Sequence, residues 1–418
     1  MTIQLGTSLN SFGEVPFEID LGKSQFRHAW VIGKSGTGKS TLLRNLAVSI
    51  IQSGAGLAVQ EPHGDLIYDL LNYLSVQDLE RLTFISPDSD RAPDIGLFHH
   101  PDKELALQTF LSIIEAKSGQ GWGPETAHIL RAATDAALEL CPNPSILDVY
   151  KILARPKYAK ELLSHSQNPL LQDFYQQYFV DLKPIERARN FSHPLNKIEE
   201  LLRPGIREFL CQKKHLSFNG IMDRSELLFA SLPKSKMGDR PAKTLGQLIL
   251  SKINLASFQR KKRNRPFFVI IDEIHNFIGG IDFETMLAES RKFGVHYIFA
   301  TQTLEQMRQA GELNDRIAFG NCSHIFSFRT NAKDALDIAA NFGNEDTAPE
   351  LVMLKNYHFK ALTMDDGTPM ASNSVSLAQY PEMTGREIPA RKATQDAKDN
   401  TGVPKDQVNL YIEKALRN

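Results

Sequence analysis

Gly33-Lys34-Ser35-Gly36-Thr37-Gly38-Lys39-Ser40 is a complete G-x-x-x-x-G-K-[ST] loop, continued by Thr41. Its chemistry is that of polyphosphate binding. The glycines let the backbone wrap around an anion, and the N–H groups at the start of the next helix donate to it under a positive dipole. Lys39 adds a charge and Ser40 offers a hydroxyl to magnesium. The pattern predicts a nucleoside triphosphate held between Gly33 and Thr41.

Hydrolysis needs more than a cradle: a held metal and an oriented water. Phe267-Phe268-Val269-Ile270-Ile271 is an unbroken apolar run leading straight into Asp272-Glu273. That is the form of a Walker B strand, with Asp272 emerging beside Ser40 to hold the water shell of the metal and Glu273 polarising the attacking water. A second strand, His296 to Ala300, ends in Thr301-Gln302-Thr303. Gln302 there either caps the following helix or faces the same crevice and touches the γ-phosphate or the water. Ser or Thr caps better than Gln, which favours the crevice. Arg291, in Arg291-Lys292-Phe293-Gly294, reads on its own as the ordinary basic residue at a helix C-terminus before glycine.

These groups need a scaffold that brings distant strand ends together. His28 to Ile32 reads as a short buried strand before the loop, and Ser40 to Ala47 as a helix after it. Gly56 to Gln60 and Leu82 to Ile85 are further strands, with an amphipathic helix at Leu66 to Leu74 between them, so the alternation predicts a parallel α/β sheet. From 102 to 214 the strand signal vanishes and helical periodicity takes over at Leu105 to Ala116, Glu125 to Leu140, Ile146 to Leu153 and Pro169 to Phe179. The expected organisation is an N-terminal segment (1–26), the first part of an α/β core (27–101), an inserted all-helical subdomain (102–214), the second part of the core (215–383) and a tail (384–418). In the second part, Glu226 to Ser231 and His324 to Phe328 read as strands. Ala242 to Gln259 reads as a long helix, and Phe359 to Met364 as one arm of a hairpin turning at Asp366-Gly367. In the tail, Val408, Tyr411, Ile412 and Ala415 share one face of a helix at Lys405 to Leu416, suited to docking on the core or on a partner.

Composition bounds the rest. At 418 residues, 42% hydrophobic and 23% charged, the chain is of ordinary globular type. A net charge of -1 supplies no global pull on polyanions, so any nucleic acid must be held by a local patch. Cys141, Cys211 and Cys322 form no C-x-x-C pair, which speaks against zinc and a disulfide framework and for a reducing cytoplasm. No apolar stretch approaches the roughly 20 residues that span a bilayer.

Taken together the motifs resemble the HerA/FtsK superfamily of ring-forming ATPases, and most closely the cytoplasmic part of TraD/TraG-like type IV secretion coupling proteins. The likeness is carried by Gly33 to Ser40, Glu61-Pro62-His63-Gly64-Asp65, Trp122-Gly123-Pro124, Ile270 to Phe277, Glu289 to Gly294, Ala300-Thr301-Gln302, and Gly320-Asn321 to Ser327-Phe328-Arg329. It implies a RecA-like core with a mainly parallel sheet, ATP and Mg2+ as cofactors, and hexamers with ATP at subunit interfaces. Lys39, Glu273, Gln302 and Arg291 would be the catalytic set, Arg291 acting as an arginine finger in a neighbour's site and Gln302 as γ-phosphate sensor, with Arg329 a second candidate for contact in trans. The chain departs from the family where its Asp-Pro-His-Gly-Asp element begins with Glu61, and where Asp-Glu-Phe-Gln-Asn-Phe becomes Asp-Glu-Ile-His-Asn-Phe. The membrane-spanning helices common in coupling proteins have no counterpart, and 1–26 is too short for the small β-barrel of the HerA branch.

The resemblance implies DNA as the substrate. Arg260-Lys261-Lys262-Arg263-Asn264-Arg265 is the one dense basic cluster, either a set of phosphate contacts or a solvated loop before a buried strand. The leading expectation is a cytoplasmic hexameric DNA-translocating ATPase, peripheral to the inner membrane through partners if it works there. The alternatives are a motor for protein secretion or assembly, and an ATP-dependent scaffold ring around an effector such as a nuclease.

Overall fold

The structure, a computed structural model, describes residues 2–10, 13–22, 26–365, 368–379 and 390–417. Its frame is a sheet whose central strands are β3 (Ala29–Ile32), β4 (Gly56–Glu61), β5 (Leu82–Ile85), β7 (Leu227–Ser231), β8 (Phe267–Ile271), β9 (Val295–Thr301) and β10 (His324–Ser327). They run parallel in the order β5-β7-β4-β8-β9-β3-β10. Two antiparallel pieces extend the β10 edge: the hairpin β1 (Thr2–Asn10) and β2 (Gly13–Asp20), and a group of β11 (His358–Asp365), β12 (Thr368–Ala371) and β13 (Val375–Leu377). The turn expected at Asp366-Gly367 lies outside the described residues, though the β11–β12 pair on either side of it is antiparallel.

The apolar runs are continuous because both faces of the central strands are covered. Strand side chains alternate between faces. Thus Trp30, Ile32, Val269, Ile271, Tyr297 and Phe299 enter one core, and Ala29, Val31, Phe268, Ile270, Ile298 and Ala300 enter the other. The second core is closed by α1 (Lys39–Gln52), the helix after the phosphate loop, through Leu42, Leu43, Leu46 and Ile50. The first is closed by the long helix Asp239–Phe258 and by the helices of 102–214, whose Phe110, Ile129, Ile152 and Phe209 belong to the same buried cluster. The helical segment therefore has no separate core; it is a cap on one face of the sheet. It holds two helices beyond those expected, Pro156–Leu163 and Pro184–Leu201, both opening on proline at the first helical position.

At the ends of the chain, β1 carries buried Ile3 and Leu5, and β2 alternates exposed Glu14, Pro16 and Glu18 with the more covered Val15, Phe17 and Ile19, a period-two pattern that makes a hairpin. The tail returns to the body: β14 (Val403–Pro404) pairs with β6 (Arg91–Ala92), and the helix Lys405–Arg417 packs on Ile146–Ala154 with Val408 and Ile412 buried. A further helix, Ala390–Asp399, covers the β5 edge. Among the described residues, no helix is long and apolar enough to cross a membrane.

Candidate nucleotide site

In a parallel sheet the loops that follow the strands share one edge. Here the phosphate loop follows β3, Asp272 follows β8 and Gln302 follows β9, so residues 232 to 269 positions apart converge by topology alone. The loop is pinned on both sides, Gly33 N donating to Thr301 O at 3.2 Å and Lys34 N to Arg329 O at 2.9 Å. At Gly38, φ is +118° and an added Cβ would sit 3.2 Å from the ring of Tyr357, so only glycine fits. Gly38 also leaves α1 without a side-chain cap, and the first turn carries no acid. The N–H groups that start the helix are thus left for an anion.

Lys39 is buried and donates from Nζ to Gly33 O at 2.6 Å and Lys34 O at 3.0 Å, folded over the loop where phosphates would lie. Ser40 Oγ donates to Asp272 Oδ2 at 3.4 Å. Burial raises the Asp272 carboxyl and the Lys39 charge opposes that rise. Burial likewise lowers Lys39, against the pull of Asp272 and Glu273. Asp272 is a buried carboxylate beside a hydroxyl, a hard oxygen pair that fits Mg2+.

Glu273 is held by three residues. Gln302 Nε2 donates to its Oε1, His63 Nε2 lies 3.3 Å from Oε2, and Asn276 Nδ2 donates both to the backbone O at 2.9 Å and to Oε2 at 3.3 Å. Lys234 Nζ in turn donates to Asn276 Oδ1 at 2.7 Å. Burial pushes the Glu273 carboxyl up, but His63 and the Gln302 hydrogen bond outweigh it and hold the group below the usual carboxylate range. The carboxylate is therefore kept ionised with its orientation fixed, as a group that accepts a proton from water must be. Gln302 is not the helix cap: Thr303 accepts from Gln306 N and caps Leu304–Ala310.

Together Ser35, Gly36, Gly38 to Thr41, His63, Asp65, Asp272, Glu273, Gln302 and Tyr357 enclose a cleft of about 450 Å³, within the roughly 300–1,000 Å³ of small-molecule sites. His63 and Tyr357 are additions to the sequence-based set. His63 sits inside the Glu61 to Asp65 motif, so a strand-end histidine two residues past Glu61 was a readable signal. Tyr357 had none, being a lone tyrosine in a connection.

Other candidates stand elsewhere. Arg291 is exposed in the turn Arg291–Phe293 before β9, so the seven residues of that strand, about 23 Å, separate it from Gln302. Arg329 stays beside its own phosphate loop, with Nη2 donating to Asn356 Oδ1 at 2.8 Å. The basic run divides. Arg260 is 2% exposed, its guanidinium donating to Phe293 O at 3.1 Å and Gly294 O at 2.7 Å. This corrects its place among the DNA contacts: four backbone-directed N–H groups at the end of a buried helix make it a structural clamp. Lys261, Lys262 and Arg263 are exposed, with Arg263 stacked 4.6 Å from the Phe293 ring.

Comparison with known proteins agrees with this geometry. Residues 3–202 match the family model described as the central domain of helicase HerA, and 266–357 match that described as the TraM recognition site of TraD and TraG. A search of curated protein sequences gave no match. Among solved structures, the unbound bacterial conjugative coupling protein TrwB superposes with a TM-score of 0.67 at 15% identity, covering 92% of this chain and 90% of that one. The plasmid coupling protein TrwB in complex with ADP and Mg2+ gives 0.66 at 16% identity, with 88% of each chain covered. VirB4 of Thermoanaerobacter pseudethanolicus gives 0.67 at 12% identity, covering 91% and 96%. At these identities the superpositions speak for the fold, while the two family models mark segments similar in sequence. With the phosphate loop, the paired acids and the parallel sheet in place, the chain is a P-loop NTPase that resembles the HerA/FtsK superfamily and, within it, TraD/TraG-like coupling proteins.

Proposed function

We propose that this protein is an ATP-hydrolysing ring motor that moves DNA. The observation that carries the reading is the joined end of β3, β8 and β9, where Lys39, Ser40 and Asp272 meet the Glu273–Gln302–His63 group in one cleft. Ser40 and Asp272 would hold Mg2+, which when bound neutralises phosphate charge and draws the transferring group into line. Lys39 leaves its two carbonyls for the phosphates. Glu273, ionised, accepts a proton from the attacking water, and Gln302 fixes the orientation of both.

Arg291 is the proposed arginine finger. Its place at the opposite edge of the sheet takes it out of reach of its own cleft, which supports action in a neighbouring protomer, and the resemblance to ring-forming ATPases supports a hexamer. Lys261, Lys262 and Arg263 remain the proposed phosphate contacts for DNA, on that same edge. The match to the TraM recognition segment of TraD and TraG supports a protein partner for the 266–357 region, and the resemblance to coupling proteins supports a cytoplasmic place of work against a membrane-bound partner.

Glu273→Gln tests the reading. The variant should bind ATP with unchanged affinity and lose on the order of 10²–10⁴ in kcat. Wild-type hydrolysis should rise with added DNA, and that rise should fade steeply with salt. Hydrolysis that no DNA of any form stimulates would remove the translocase from the account and leave the NTPase.

A further inference from the structure

Three non-glycine residues hold a left-handed backbone among the described residues: Ser225 at φ 56°, Glu273 at 48° and Tyr357 at 60°. Such conformations cost on the order of 1–3 kcal/mol and persist where surrounding structure over-determines them. Two of the three line the nucleotide cleft. At Glu273 the conformation sets the carboxylate against Gln302 and His63; Tyr357 has no part in the reaction.

Tyr357 is pinned from both sides. Its N–H donates to Thr37 O at 2.7 Å, inside the phosphate loop, and its O accepts from Leu377 N at 2.8 Å, at the end of β13. The ring is held against Gly38, and yet the residue stays 49% exposed. A large aromatic side chain fixed at a cleft mouth with half its surface open to water presents a face that another flat group can cover.

Sheet order says which part of a nucleotide arrives there. The catalytic acids and Gln302 follow β8 and β9, to one side of β3, so the γ-phosphate end of a triphosphate on the loop points that way. Tyr357 precedes β11, which lies beyond β10 on the other side of β3 and runs antiparallel to it, so its first residue stands at the same sheet edge. Two strand spacings, about 10 Å, separate it from the loop's own strand. A nucleotide with its phosphates on Gly33 to Ser40 and its γ end at Glu273 therefore has its nucleoside toward Tyr357.

We infer that Tyr357 is the nucleobase platform of this site, its ring stacking on the base of a nucleoside triphosphate whose phosphates occupy the Gly33–Ser40 loop. The inference rests on the nucleotide-binding reading and adds to it the group that receives the base. Every base has a π-face, so the platform takes adenine and guanine alike. Its backbone strain fixes the ring in advance of binding.

The test measures magnesium-dependent affinity of the full chain for ATP, GTP and inorganic tripolyphosphate by calorimetry. Tyr357→Asn keeps a residue that tolerates the left-handed backbone while removing the ring. It should weaken ATP and GTP roughly 10-fold and leave tripolyphosphate unchanged, whereas Tyr357→Phe should keep all three within about twofold. Equal losses for ATP and tripolyphosphate in Tyr357→Asn would make the residue a support of the phosphate loop and overturn the inference, as would no loss for either nucleotide. Wild-type protein that binds neither nucleotide nor tripolyphosphate would sink the nucleotide site itself, and the platform with it.

Discussion

The two edges of the parallel sheet are built from the same strands and differ in almost everything else. At the edge where strands end stand Asp272, Glu273 and Gln302, a glycine loop, and two of the three strained non-glycine backbones. At the edge where strands begin stand exposed Lys261, Lys262, Arg263 and Arg291, over aromatic packing such as Phe258 against Phe293. One edge gathers carboxylates in a cleft, Asp272 pushed up by burial and Glu273 held ionised by His63 and Gln302; the other exposes cations. A β-strand's length keeps the acids of the cleft and the exposed arginine apart within one chain. In the proposed ring, two protomers placed edge to edge would supply both halves of a hydrolytic site.

Removing the far-edge cation should have the largest effect. Arg291→Ala is expected to lower kcat on the order of 10³-fold or more, as arginine fingers do, with nucleotide affinity nearly intact. A loss of only a few-fold in steady-state hydrolysis would reduce Arg291 to a surface residue.

Next comes a split inside the basic run. Arg260→Ala leaves the carbonyl of Phe293 without its guanidinium donor and Gly294 O with only the Phe267 amide, and should cost about 2–3 kcal/mol of stability, read by denaturant unfolding. The triple exchange of Lys261, Lys262 and Arg263 to Ala should leave stability alone and reduce the slope of log affinity for DNA against log salt by up to about 3. The reverse pattern would erase the distinction between clamp and loop.

The smallest expected effect concerns Glu61, which stands where the family has aspartate. Burial lifts its carboxyl to about 8 from the ordinary 4.5, although the amides of Ile67 and Leu66 pull it down. The fold thus favours the protonated acid, a contribution that is complete below 4.5 and lost as pH rises through about 8. In magnesium-free buffer, the Tm of wild type relative to Glu61→Gln should fall by about 2–4 °C between pH 5 and 9; a pH-independent difference would contradict this origin.

Most of the strand-end edge was legible in the sequence, because its residues announce themselves locally: a glycine loop between an apolar run and a helix, and two acids after five consecutive buried residues. Burial and pairing were less so. Nothing in Arg260-Lys261-Lys262-Arg263 tells which cation turns inward, since that depends on where the long helix ends against Gly294. The N-terminal hairpin was present as alternation of Ile3 with Leu5 and of Val15, Phe17 with Ile19, but short polar-rich strands need a partner edge, here β13, to declare themselves. Tyr357 is the extreme case: its meaning comes only from the antiparallel return of β11 to the edge where β3 ends.

The claim that two edges complete one site is tested most directly by mixing inactive variants. Lys39→Ala lacks a working loop but keeps Arg291; Arg291→Ala lacks the finger but keeps the loop. If the site is shared, interfaces pairing the intact loop of one with the intact arginine of the other will hydrolyse ATP, and the mixture will exceed either variant alone. A mixture no more active than its components, with both variants still assembling together, would contradict the account.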